Sequence, residues 1–147
     1  MCIRDRTITY HQVDLHQIAA KLKSLLESNP RIKVAILFGS ALRRSHVQDI
    51  DIAVYAQPPL KLSELIELSH QLEDTLQIPV DIVPLEKTPP KLRLKALTQG
   101  HTLVKKSSTL YTYLLHTAMS EAMDMEIKLK EAKGKYKSHQ HQNQPNP

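Results

Sequence analysis

Residues 32–38, IKVAILF, are β-branched or apolar at six of seven positions, with almost no polar alternation. Such a run reads as a strand buried on both faces, because a strand with one wet face would alternate. It commits the chain to a sheet, and Gly39-Ser40 breaks it at once. DIDIAVY, residues 49–55, predicts a second strand that stops before Pro58-Pro59; PVDIVPL, residues 79–85, predicts a third. HTLVKK, residues 101–106, predicts a short fourth.

Between the strands the apolar spacing becomes helical. Val13, Leu15, Ile18, Ala19, Leu22, Leu25 and Leu26 predict a first helix from His11, ended by Asn29-Pro30 because proline disfavours helical geometry in the preceding residue. LSELIELSHQLEDTL, residues 62–76, is amphipathic. KLRLKALTQG predicts a short helix closed by Gly100 in the left-handed cap position. A long helix from Ser108 to Ala132 carries Tyr111, Leu115, Ala118, Ala122, Met125 and Leu129 at spacings of three and four. The order α-β-turn-β-α-β-α-β-α predicts an α/β (α+β) fold: a small mixed sheet, helices packed mainly against one face, and a long C-terminal helix.

At 147 residues the chain is expected to form one domain over residues 11–132. Residues 1–10, opening MCIRDR, fit no period and are expected to be disordered or non-native; the polar tail 133–147 is expected to be disordered. No apolar run reaches the length of a membrane span, and the N-terminus lacks the apolar stretch of a secretory signal, so a cytoplasmic location is expected. Cys2 is the single cysteine, which excludes a disulfide framework and a thiolate zinc site.

The net charge is +5, and much of the excess lies late in the chain at Lys91, Arg93, Lys95, Lys105, Lys106, Lys128, Lys130, Lys133, Lys135 and Lys137. A solvated basic surface and a nucleic-acid contact both fit this pattern. With six aromatic residues in all, base-stacking platforms are hard to build. The eight histidines include no dense ligand spacing; only His46 falls in a loop near the acids discussed next. Met119, Met123 and Met125 fit a core or a partner seam better than a cofactor site.

Asp49 and Asp51 are two apart in a strand, so their side chains share one face, while Ile50, Ile52 and Val54 share the other. Asp81 stands between Val80 and Ile82 on the next strand. Pairing of those strands would gather three carboxylates, and uncompensated acids at close quarters take up protons. Divalent cations relieve that repulsion, and all-oxygen ligation suits Mg²⁺. Taken alone, a D-x-D on a wet strand is ordinary surface and a Gly-Ser is an ordinary turn. Together they are more informative: glycine allows close backbone approach, and Ser40 can donate its hydroxyl and N–H to a phosphate oxygen.

LFGSALRRSHVQDIDIAVY, followed by VDIV at 80–83, resembles the signature of the polymerase-β-like nucleotidyltransferase superfamily. The compact layout, the downstream G-x-x-L-V and the final helix ending MDMEIKLK are similar to minimal nucleotidyltransferases, the MNT antitoxins. The likeness spans residues 12–131. It implies that Gly39, Ser40, Arg43 and Arg44 bind the phosphates of a nucleotide, with ATP as the substrate. It implies that Asp49, Asp51 and Asp81 are catalytic and hold two Mg²⁺ ions, with Asp81 either a ligand or the acceptor of a proton. It further implies transfer of AMP to a protein hydroxyl, with a HEPN-type toxin as partner and the long helix as a docking or oligomer surface. The sequence departs from the pattern in two places. Eight residues separate Ser40 from Asp49, fewer than is common, and Ala41-Leu42-Arg43-Arg44 stands where the family usually has R-A-R-G. Two alternatives therefore stay open: a member that neutralises its partner by binding alone, and a transferase acting on a small molecule or an RNA end.

Overall fold

The computed structural model describes residues 11–12, 14–39 and 46–143. Among them a four-stranded mixed sheet runs in the order β5–β4–β2–β6, built from β2 (Ile32–Phe38), β4 (Ile50–Ala56), β5 (Val80–Pro84) and β6 (His101–Lys105). β2 pairs antiparallel with both β4 and β6, whereas β5 runs parallel to β4. Parallel neighbours need a crossover, supplied here by helix α2 (Leu62–Leu76). Two short strands, β1 (His11–Gln12) and β3 (His46–Val47), form a separate antiparallel pair that hydropathy does not reveal.

Helix α1 spans Leu15–Glu27 and begins four residues later than the spacing predicts. The Asp14 side chain accepts a hydrogen bond from the His16 N–H at 3.0 Å and caps the first turn, and His11–Gln12 are already committed to strand pairing. Ile18, Leu22 and Leu26 of α1 join Leu65, Leu68 and Leu72 of α2 on one face of the sheet, over Ile50, Ile52 and Val54.

The opposite face is covered too. Helices α3 (Pro90–Gln99) and α4 (Ser108–Asn143) bring Ala96, Leu97, Leu114 and Ala118 onto Val34, Ile36 and Ala53. Helices therefore pack on both faces, not mainly on one. The physical reason lies in IKVAILF: a strand apolar at consecutive positions needs cover on both sides.

Two further expectations change. Gly100 closes α3 in extended geometry, φ −75°, not in the left-handed region. Glycine is needed there for space, since a Cβ would lie 2.4 Å from both the Ala96 carbonyl oxygen and Ile36 Cγ2. Helix α4 continues to Asn143, through the segment expected to be a disordered tail. Lys, Glu, Ala and Gln favour helix, and the sequence has no proline between Pro90 and Pro145. Tyr111, Leu115, Ala118 and Ala122 of its apolar stripe pack inward, while Met119, Met123, Met125 and Leu129 remain exposed.

Arg93, counted by sequence with the basic surface, is buried. It donates to the Thr88 carbonyl at 2.9 Å and to the Glu121 carboxylate at 3.1 Å, tying α3 to α4. A comparable clamp stands where β2 begins. Arg31 reaches Glu64 at 2.6 and 3.2 Å and the Pro59 carbonyl at 2.7 Å, fixing the start of α2 beside the end of β4.

Candidate active site

Parallel pairing of β4 with β5 sets Asp51 directly opposite Asp81. Their side chains share a face because side-chain direction alternates along each strand and the register matches residue for residue. Asp49 lies two residues before Asp51, just ahead of β4. Asp49 and Asp81 both act electrostatically on Asp51, so the three acids lie near one another at one end of the sheet.

The glycine arrives from the other neighbour. Phe38, the last residue of β2, pairs with Asp51, and Gly39 follows at φ +87°, a conformation that side-chain-bearing residues rarely adopt. A Cβ at Gly39 would lie 2.6 Å from Asp51 Oδ2. Backbone and carboxylate meet there because the residue has no side chain. Ser40, Arg43 and Arg44 lie outside the described residues, as does the side chain of His46.

Asp51 is the electrostatic centre of the site. Partial burial pushes its carboxyl up from 3.8 to about 6, and the neighbouring charges of Asp49 and Asp81 push in the same direction. Among the described residues, no group of three or more His, Cys, Asp or Glu side chains is placed to hold a metal ion by itself. Mg²⁺ needs none: it binds through one or two carboxylates and completes its shell with water and substrate phosphates. An all-oxygen donor set, mutual repulsion at Asp51 and the close approach of the Gly39 backbone to that carboxylate fit such an ion with a polyphosphate.

Two cavities flank the acids. One, of about 390 Å³, begins at Phe38 and Gly39 and is walled by Leu92, Lys95, Ala96 and Gln99 of α3. The other, of about 440 Å³, begins at Asp81 and runs between β5 and α2. Sequence reasoning missed the first wall. Its signal was the alternate period of KLRLKALTQ: Leu92 is exposed where Leu97 is buried, so part of α3's apolar surface faces outward.

A mixed sheet with carboxylates on adjacent strands, a tight glycine at the end of a third and a cavity on either side defines a nucleotidyl-transfer scaffold. Residues 20–109 match the polymerase beta nucleotidyltransferase family, and the chain belongs to it. Among solved structures it is similar to a chain in the toxin–antitoxin MntA–HepT (24% identity, TM-score 0.67, covering 82% of this chain and 97% of that one). It is similar to one in a complex of tri-AMPylated Shewanella oneidensis HEPN toxin with MNT antitoxin (24%, 0.68, 84% and 98%). A third likeness is to a toxin–antitoxin structure with AMP-PNP (26%, 0.68, 80% and 97%). No curated protein matches. Among the described residues no helix is long and apolar enough to cross a membrane.

Proposed function

We propose that this chain transfers AMP from ATP to a hydroxyl of a partner protein, and that it is the MNT-type antitoxin of a HEPN-type toxin in the cytoplasm. The observation that carries the chemistry is the meeting of Asp51, Asp81 and Gly39 at one end of the sheet. The similarity to toxin–antitoxin structures, one with AMP-PNP and one with a tri-AMPylated toxin, supports the nucleotide and the partner.

Asp49, Asp51 and Asp81 would hold two Mg²⁺ ions, which when bound neutralise phosphate charge and ease deprotonation of the acceptor hydroxyl. The cradle at Gly39 orients the triphosphate, with Ser40, Arg43 and Arg44 as further phosphate contacts by the resemblance. Lys95 stands on the wall of the same cavity, and that cavity takes the nucleoside. Asp81, exposed at the mouth of the second cavity, stands where the acceptor hydroxyl would enter, and either ligates the second ion or takes up the hydroxyl proton. The new bond joins the acceptor oxygen to the α-phosphorus; the bond to pyrophosphate breaks, and pyrophosphate leaves.

The test is transfer of label from α-labelled ATP to the partner encoded beside this chain. Wild type is expected to label it, and Asp49→Ala with Asp51→Ala to lose about 1,000-fold or more of that rate. Undiminished label in the double variant would overturn the mechanism. Full neutralisation of the partner without any label would favour occlusion.

A further inference from the structure

β5 is an edge strand, and its outer edge is almost fully occupied by the chain's own groups. The Ile50 N–H donates to the Pro79 carbonyl, so odd-numbered residues of β5 face β4 and even-numbered ones face outward. At Val80 the outward N–H donates to Glu73 at 2.9 Å, and the outward carbonyl accepts from Ser69 at 2.7 Å. At Pro84 there is no N–H, and the carbonyl accepts from Thr88 at 3.0 Å. Ile82 lies between them, within the wall of the 440 Å³ cavity. Among the described residues it is the one outward-facing position of β5 with no hydrogen-bond partner on that edge. It is one residue from Asp81.

On the reading that this chain transfers AMP to a protein, we propose that the acceptor is an extended polypeptide segment that adds to β5 at Ile82 and fills the cavity between β5 and α2. Strand periodicity then places its side chains. The residue opposite Asp81 points to the face of Asp51 and Asp81, bringing its hydroxyl to the acids. The residues on either side point to the opposite face, where Leu62, Leu65 and Ile66 of α2 line the cavity. Leu62 and Ile66, one helical turn apart, are 73% and 48% exposed and offer an apolar surface beside the cavity. Main-chain bonds supply affinity and the apolar wall supplies selectivity, as in other strand-addition sites. The wall is mixed: apolar side chains from α2 stand beside Ser69 and Asp81, with only Lys87 and His70 as basic groups among the described lining residues. It suits a polypeptide better than a nucleic acid, whose backbone needs a basic track.

The probes are synthetic peptides with one central Tyr, Ser or Thr and an RNA oligonucleotide of similar length, offered to the full chain with Mg²⁺ and α-labelled ATP. Peptide is expected to be labelled and to slow hydrogen exchange at the Ile82 amide. Ile66→Asp and Leu62→Asp, both at exposed positions, are expected to lower peptide labelling about tenfold or more while calorimetric binding of ATP is retained. Labelling unchanged in both variants, label on RNA alone, or no peptide that protects Ile82 each overturns the groove. Failure of wild type to bind ATP defeats the transferase reading itself, which separates the two.

Discussion

Strand β4 meets carboxylates at both ends, under opposite conditions. Near its end, at Ala56 and Gln57, Glu64 is held by the Arg31 guanidinium, which keeps its carboxyl below the usual range, helped by the Lys61 N–H. At its start, Asp51 faces Asp81 across the sheet and Asp49 along the chain, and is pushed up to about 6. The first acid is neutralised by the fold and organises a helix start. The second is left in conflict, which a well-packed protein resolves by a ligand or not at all.

The sharpest way to break this contrast is to fill the cradle. Gly39→Ala would put a methyl 2.6 Å from Asp51 Oδ2 in a backbone region costly to alanine, so either the carboxylate turns away or the turn opens. We expect AMP transfer to fall about 100-fold and unfolding free energy by about 2 kcal/mol. Transfer assays and urea denaturation measure the two separately. Full activity in Gly39→Ala would remove the cradle from the mechanism.

A smaller effect tests the conflict itself. A carboxyl whose folded pKa is about 6, against 3.8, binds more protons folded than unfolded between those values. Without metal, stability contributed by this group is therefore present at low pH and lost as pH rises from 3.8 to about 6. Asp51 is only partly buried, so solvent screening reduces the full linkage value to about 1 kcal/mol. Asp51→Asn is expected to raise the metal-free melting temperature at pH 7 and to flatten its pH dependence through that window. Mg²⁺ with ATP should raise wild type and leave the variant nearly unmoved. A variant less stable than wild type at pH 7 without metal would mean that Asp51 is compensated after all.

The two ends were not equally legible. Asp49, Asp51 and Asp81 stood out because polar groups in apolar strands break a period, and period is what a sequence displays. Gly39 stood out because it ends a buried strand. The Arg31–Glu64 clamp gave no such signal: its partners are 33 residues apart, and a surface arginine looks the same whether or not it finds a carboxylate. Arg93 misled for the same reason, since charge says nothing about burial until the partners at Thr88 and Glu121 are known. The second covered face was visible in principle, in the apolar consecutive residues of β2. What hid it was α3, where exposed Leu92 and buried Leu97 blur the helical stripe.

The smallest effect is expected at the neutralised acid. Glu64→Gln can keep one oxygen accepting from the Lys61 N–H and Arg31 Nη2, and removes the charge together with the acceptor that takes Arg31 Nη1. Because the folded pKa of Glu64 is lowered, its contribution is present above the ordinary 4.5 and lost as pH falls through the lowered folded value, the reverse of Asp51. The pair is partly exposed and screened by solvent, so the variant should differ from wild type only slightly at pH 7 and converge with it in acid. AMP transfer should not change, since Glu64 sits beyond the far end of β4 from the acids. Thermal melts of Glu64→Gln and Asp51→Asn over the same pH series then give slopes of opposite sign. Slopes of the same sign would show that the two ends of β4 do not differ in the way their partners imply.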